Sequence, residues 1–119
     1  MRKFPGLRTG KYCAQSAHAS MGALLSLADR QDDKFVISLD DPFVKEWLVG
    51  KFAKITVYVN TEAELIAIYE AAKNAQLPTA LIKDSGLTEF NGVPTLTAVG
   101  IGPADSNRIN KITGTLPLL

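Results

Sequence analysis

The sequence predicts an α/β sandwich in which a partly parallel sheet lies between layers of helices. Apolar, β-branched runs typical of strands alternate along the 119 residues with longer stretches of helical periodicity. Strands that are joined through a helix run parallel, so part of the sheet should be parallel. A chain of this length buries roughly two thirds of its unfolded surface without disulfide support. We therefore expect a single domain over residues 1–119.

The first predicted element is a helix over residues 11–29 that is rich in small side chains. Lys11, Gln15 and His18 stand at i, i+4 and i+7, so they project from one face of this helix. A cation, an amide and an imidazole are poor core material, but they suit the binding of a phosphate or the polarisation of a carbonyl. The neighbouring face is apolar, and we expect it to be the buried stripe, made of Ala14, Ala17, Met21, Leu24, Leu25 and Ala28.

Turn and capping residues mark the other elements. Pro42 after Asp40 and Asp41 fits the first turn of a helix, and Thr61 to Glu64 has the spacing of a capping box. Residues 29–41 are polar and predict a loop around a short apolar piece. The predicted strands cover residues 54–59, 77–82 and 96–101, and the predicted helices cover residues 42–48, 61–75 and 105–114.

Composition and motifs exclude several kinds of protein. One cysteine forms no internal disulfide and indicates a reducing compartment, and with one histidine it excludes a His/Cys zinc centre. No run is long and apolar enough for a membrane span, and no secretory leader is visible. Walker and Gly-x-Gly-x-x-Gly motifs are absent, which argues against nucleoside triphosphate chemistry. The residue types of a Ser-His-Asp triad are present, but no Gly-x-Ser-x-Gly elbow is. We expect a soluble, cytoplasmic protein.

Positive charge is concentrated at the start of the chain, although the net charge is only +1. Arg2, Lys3, Arg8 and Lys11 all precede the first acidic residue, Asp29. A basic end on a nearly neutral protein steers a polyanion without strong non-specific binding. The other interpretation is a charged terminus that is merely solvated.

Three further polar residues fall near the ends of predicted strands. Asp84 follows the strand over residues 77–82 and precedes a Ser-Gly turn, at the end where ligands of α/β sheets bind. Thr88 comes four residues later, and Thr97 lies near the start of the next strand. The alternative for Asp84 is a turn residue that binds its own loop amides, and both threonines have ordinary loop and strand roles as alternatives.

Two separated segments of the chain resemble the archaeal and eukaryotic-type family of peptidyl-tRNA hydrolases. One runs from Gly10-Lys11 through Gln15 to His18-Ala19, and the other runs from residue 77 to Gly102-Pro103 and closes with residues 109–114. The resemblance covers about residues 8–119. It implies a three-layer α/β/α domain with a four-stranded mixed sheet, commonly dimeric. It also implies hydrolysis, without a cofactor or metal, of the ester that joins a peptide to the 3′ ribose of tRNA.

The positions that match the family's functional residues are Lys11, Gln15, Asp84, Thr88 and Thr97, with His18 as a further candidate. We hypothesise that Asp84 orients or deprotonates the attacking water, which Thr88 or Thr97 holds. Lys11 would stabilise the oxyanion or bind the terminal phosphate, and Gln15 would position the ester. Since an aspartate near its usual pKa is a weak base, positioning and charge should supply more of the rate than proton abstraction.

Two residues and one alternative function complete this hypothesis. His18 competes with Asp84 as the base because only imidazole titrates near neutrality; otherwise it is a helix histidine at the edge of the core. Arg8 is expected to bind substrate together with Lys11 and Gln15. The alternative function is a non-catalytic module of the same fold that binds RNA or a protein. The intact set of five matching positions favours the enzyme.

The start of the chain departs from the family pattern. Residues 1–3 match only the end of the family's first strand, and Phe4-Pro5-Gly6 stands where the family has an Asp-Leu turn. We therefore expect a truncated first strand, which leaves main-chain groups of the sheet without partners. Pairing between two copies of the chain would satisfy these groups, and a homodimer is expected.

Overall fold

A computed structural model describes residues 1–119 and shows a mixed α/β fold with two small antiparallel sheets. The helices are α1 (Thr9–Leu25), α2 (Pro42–Glu46), α3 (Glu62–Asn74) and α4 (Ser106–Thr113). The strands are β1 (Asp29–Gln31), β2 (Lys34–Val36), β3 (Thr79–Asp84) and β4 (Thr95–Ile101). Sheet β1–β2 is a separate hairpin, and sheet β3–β4 carries α1 and α3. The α/β class is thus confirmed, whereas the strands do not form one four-stranded sheet.

Helix α1 lies unusually close to the β3–β4 sheet because small residues meet at the contact. A Cβ atom added to Gly100 of β4 would stand 2.0 Å from the carbonyl oxygen of Ala19, so only glycine fits there. A Cβ atom added to Gly22 would stand 2.9 Å from the Cβ of Ala80 in β3. The buried residues of α1 are accordingly Gln15, Ala19 and Ala23.

The predicted buried stripe of α1 is wrong. Ala14, Ala17, Met21 and Leu25 are exposed, and Met21 keeps 55% of its surface accessible. The predicted stripe lies on the side of the helix opposite Ala19, and the close approach of α1 to Gly100 places the small Ala19 and Ala23 against the sheet instead. Helix α1 also ends at Leu25, four residues before the predicted end.

Residues 54–59, predicted as a strand, form only isolated bridges. Val59 pairs in parallel with Arg2, and Val57 pairs antiparallel with Leu118. The Arg2 amide also donates to the carbonyl of Thr97 in β4, at 2.8 Å. Residues 1–3 therefore lie between this segment and β4. Because the segment's partners are short stretches of two or three residues, no continuous ladder develops.

Residues 29–36 form the β1–β2 hairpin, where the sequence predicted a loop. Its register pairs Asp29 with Val36, and Asp32 in the turn has a positive φ of 40°. All six strand residues are exposed. The predicted parallel pairing is limited to one bridge, between Val59 and Arg2, whereas β3 and β4 are antiparallel.

The capping predictions agree with the structure. Asp41 accepts hydrogen bonds from the first amides of α2, which continues into a π-helical turn over Trp47–Lys51. Thr61 and Glu64 form the predicted capping box of α3, and Asp105 caps α4. These signals depend on local backbone groups, so tertiary packing does not override them. None of the helices has both the length and the apolar character to cross a membrane.

Candidate active site

Five of the predicted site residues form one hydrogen-bonded network where α1 crosses the β3–β4 sheet. Lys11 Nζ donates to Asp84 Oδ1 at 2.8 Å and to Thr88 Oγ1 at 2.9 Å. Gln15 Nε2 donates to the same Asp84 oxygen at 3.1 Å, and Thr97 Oγ1 donates to Gln15 Oε1 at 2.5 Å. Residues that are separated by up to 82 positions in sequence are therefore in direct contact.

Asp84 is held as a carboxylate. The hydrogen bond from Lys11 lowers the pKa of Asp84 most, with the Gly86 amide, the charge of Lys11 and the Gln15 amide acting in the same direction. Partial burial opposes these contributions, and the net shift is downward. The side chains of Lys11 and Asp84 are only 14% and 12% exposed, so solvent screens their attraction weakly.

Gln15 and Thr97 form the buried part of the network. Gln15 is 1% exposed and Thr97 is fully buried, which is uncommon for polar side chains unless they are hydrogen-bonded. The Thr97 hydroxyl lies 3.5 Å from the carbonyl of Ile82 and 2.5 Å from Gln15 Oε1, so its single proton is directed to Gln15. This bond fixes the amide so that its NH₂ group faces Asp84.

A β-bulge in β4 directs Thr97 to the site. Ile82 of β3 pairs with Ala98, while Lys83 pairs with Leu96, so Thr97 is an extra residue without a partner on β3. Side chains of a bulge leave the normal alternation of a strand. Thr97 therefore faces α1 on the same side as Ala98, and its hydroxyl reaches Gln15.

The loop after β3 supplies the rest of the site. Gly86 has a φ of +82° and donates its amide to Asp84 Oδ2 at 2.9 Å, so Asp84 both binds its own loop and pairs with Lys11. A Cβ atom at Gly86 would stand 2.4 Å from the carbonyl oxygen of Val93, which explains the glycine. Phe90 and Asn91 in the same loop also have positive φ angles, 59° and 52°.

An open cleft of about 420 Å³ lies beside Lys11 and Thr88. Its other lining residues are Arg8, Gly10, Ala14 and Glu89. Arg8 Nε donates to Glu89 Oε1 at 2.7 Å across this cleft, and the Arg8 side chain is 78% exposed. The sequence carried no signal for Glu89, which follows Thr88 in an irregular loop.

His18 lies outside the network. It is exposed and forms no hydrogen bond or ion pair with another side chain. The i, i+4, i+7 spacing brought Lys11 and Gln15 to the sheet, but His18 is turned about 60° round the helix from Gln15, away from Ala19. No group of three or more His, Cys, Asp or Glu side chains is placed to hold a metal ion.

The fold and the site together define a class of protein. A carboxylate fixed by a lysine, an amide and a backbone N–H, at the edge of an open cleft, is suited to orienting water against a polarised carbonyl. This is the arrangement of a small α/β hydrolytic enzyme.

Comparison with known proteins makes the class specific. The family model described as "Peptidyl-tRNA hydrolase PTH2" matches residues 1–119. A peptidyl-tRNA hydrolase of Methanocaldococcus jannaschii is 42% identical over 114 residues, which are 96% of this chain and 90% of that protein. Those of Staphylothermus marinus and Methanopyrus kandleri are 40% and 38% identical, over 92% and 95% of this chain and 83% and 88% of the relatives. The chain belongs to the peptidyl-tRNA hydrolase family.

Proposed function

We propose that this chain releases peptides from peptidyl-tRNA by hydrolysing the ester at the 3′ end of the tRNA. The observation that carries the proposal is the Lys11–Asp84 pair at 2.8 Å, braced by Gln15 and placed beside an open cleft. Membership of the family and the names of its relatives support the same reaction.

In the proposed mechanism Asp84 orients the attacking water. A carboxylate offers about four lone-pair directions. Lys11 and Gln15 donate to Oδ1 and the Gly86 amide donates to Oδ2, so one lone pair of Oδ2 remains free. Because the pKa of Asp84 is lowered, this carboxylate is a weak base and aligns the water more than it deprotonates it. The water oxygen bonds to the ester carbon, and its proton leaves to solvent as the tetrahedral intermediate forms.

Lys11 stabilises the negative charge that develops on the carbonyl oxygen. An ammonium group has three N–H donors, and two of them are used by Asp84 and Thr88. The third is available to the oxyanion, or to a phosphate of the tRNA end. Collapse of the intermediate breaks the bond to the 3′ oxygen, which takes up a proton, and yields a peptide carboxylate and a tRNA hydroxyl.

Gln15, Thr88 and Thr97 complete the proposed machinery. Thr88 accepts from Lys11, so its own proton remains available to the water or the ester. Gln15 and Thr97 are too buried to meet the scissile bond without rearrangement, and we assign them a positioning role. His18 is not assigned a role, because its exposed side chain does not belong to the network.

We also propose that the enzyme binds tRNA through Arg8 and works as a cytoplasmic homodimer. Arg8 lines the cleft and is largely exposed, which favours contact with a phosphate. Several large apolar side chains between residues 35 and 55 are exposed, among them Val49 and Ile55 at 67% and 78%, and contact with a second copy would remove such side chains from water. Sedimentation analysis tests this; a monomer at micromolar concentration contradicts the dimer.

The experiment for the catalytic proposal is turnover of a peptidyl-tRNA analogue. Lys11→Ala and Asp84→Ala should each lower kcat/KM by about a hundredfold or more, the usual cost of losing an oxyanion donor or a positioned carboxylate. Lys34→Ala and Asp33→Ala, on the exposed β1–β2 hairpin, are the matched controls and should leave turnover unchanged.

Folded parent protein without turnover, or unaltered rates in the Lys11 and Asp84 variants, would contradict the proposal. Retained RNA binding in that case would indicate the non-catalytic module. Circular dichroism of every variant verifies that the fold is intact.

A further inference from the structure

An aromatic pair stands next to the Lys11–Asp84 pair and has no role in the mechanism above. The rings of Phe4 and Phe90 lie 4.8 Å apart between centroids, tilted by 52°. Lys11 Nζ is 5.9 Å from the centre of the Phe90 ring, and the Arg2 guanidinium carbon is 4.7 Å from that of Phe4. Both phenylalanines are half-buried, so part of each ring stays accessible.

The fold holds both rings in place. The Phe4 amide donates to the Tyr12 hydroxyl at 2.7 Å, and that hydroxyl donates back to the Phe4 carbonyl at 3.0 Å. Tyr12 directly follows Lys11 on α1, so the same turn of helix positions the lysine and the aromatic pair. Phe90 occupies the left-handed region with a φ of 59°, a conformation that bulky residues rarely adopt and that is retained mainly at functional sites.

We propose that Phe4 and Phe90 form a stacking platform for the terminal base at the 3′ end of the tRNA. This inference rests on the proposed function, since it takes Lys11 as the residue that contacts the ester. The base and the ester are carried by the same ribose, so the base must lie within one sugar of Lys11. The Phe90 ring is at that separation.

The chemistry of the pair favours a nucleobase over an apolar peptide side chain. Aromatic residues interleaved with cations are typical of sites for single-stranded nucleic acid, where bases stack on rings and the backbone meets the charges. Arg2 and Lys11 both face the rings, so the site combines aromatic surface with positive charge. Arg8, at the neighbouring cleft, is in reach of the preceding phosphates.

The test measures binding of an RNA hairpin whose unpaired 3′ tail ends in 2-aminopurine, a fluorescent base that is quenched on stacking. The wild-type protein should quench the probe, and Phe90→Leu should bind about tenfold more weakly without quenching. Phe90→Tyr should keep both properties because it keeps the ring. Tyr69→Leu, which removes a ring on α3 that lies 5.2 Å from Lys73 Nζ, is the matched control and should leave binding and quenching unchanged.

A second probe lacks the terminal base and leaves the rest of the RNA unchanged. The wild type and Phe90→Leu should bind this abasic RNA equally. Equal binding of the fluorescent probe by the two proteins, or an equal loss on both probes, overturns the stacking platform. The platform is also overturned, in favour of a peptide site, if the effect of Phe90→Leu on the hydrolysis rate depends on the last peptide side chain and not on the terminal base.

Because neither probe carries an ester, this result is independent of hydrolysis. Quenching by a protein that shows no turnover would keep the platform and contradict the proposed function. Turnover without quenching would support the proposed function and contradict the platform.

Discussion

Replacing Thr97 with valine removes one hydroxyl from the buried part of the site and keeps the shape of the side chain. The lost bond is the one from Thr97 Oγ1 to Gln15 Oε1, at 2.5 Å, between residues that are 0% and 1% exposed. Water cannot replace the donor, so the Gln15 carbonyl is left unsatisfied at a cost of about 1–3 kcal/mol. For a chain of this length the melting temperature should fall by about 4 °C per kcal/mol.

The same substitution should reduce activity beyond its effect on stability. Without the Thr97 hydroxyl, the Gln15 amide is free to turn its oxygen toward the Asp84 carboxylate, where it repels instead of donating. Urea unfolding gives the stability change from a shift in midpoint at constant slope. Turnover is then measured well below the melting temperature, where every variant is folded.

Two further variants make the prediction decisive. Thr79→Val deletes a hydroxyl that donates to the Gly100 carbonyl at 2.9 Å in the same sheet, and it should cost less stability and no activity. Adding Gln15→Met to Thr97→Val removes the stranded carbonyl, so the double variant should be more stable than the sum of the single losses indicates. A loss below about 0.5 kcal/mol for Thr97→Val, or strictly additive losses, would refute the reasoning.

Three other outcomes are expected. Gly100→Ala should unfold the protein or cost about 3 kcal/mol or more, because its Cβ would lie 2.0 Å from the Ala19 carbonyl oxygen; native stability in a urea titration would contradict this. Because folding lowers the pKa of Asp84, its carboxylate stabilises the protein at every pH above the ordinary pKa of 3.8, and this stabilisation is lost as the pH falls further. The difference in urea midpoint between the wild type and Asp84→Asn should therefore be constant from pH 7 to about 4 and shrink below pH 4. A difference that does not change with pH would contradict the assignment. Arg8→Gln should reduce the slope of log affinity for RNA against log salt by about one, whereas Arg30→Gln on the hairpin should leave it unchanged.

The helix ends could be predicted from sequence because their signals are local. Asp41, Thr61 and Asp105 each bind amides within three residues, so the same contacts form whatever surrounds the helix. The buried face of α1 could not be predicted in this way. It is decided by the contact with Gly100, which lies some eighty residues away in sequence and places the small Ala19 and Ala23 against the sheet.

The site could be predicted in composition but not in geometry. Lys11 and Gln15 share a helix face, and Asp84 follows a strand, so each was recognisable in its own element. The spacing that placed His18 in the same group was misleading because His18 lies about 60° round the helix from Gln15, on the side away from the buried Ala19 and Ala23. Thr97 reaches Gln15 only through a β-bulge, and no residue in the sequence marks that irregularity.

The close contact between α1 and β4 is what makes the buried part of the site possible. Gln15 lies one turn before Ala19, the residue whose carbonyl meets Gly100, so the depth of the helix at that point sets the reach of the Gln15 amide. A larger residue at position 19 or at position 100 would move α1 away from β4. The hydrogen bonds from Gln15 to Asp84 and from Thr97 to Gln15 would then lengthen together. Lys11 has a longer, flexible side chain and would follow Asp84 over such a shift. The small residues of α1 therefore act on the positioning of Asp84 more than on its charge.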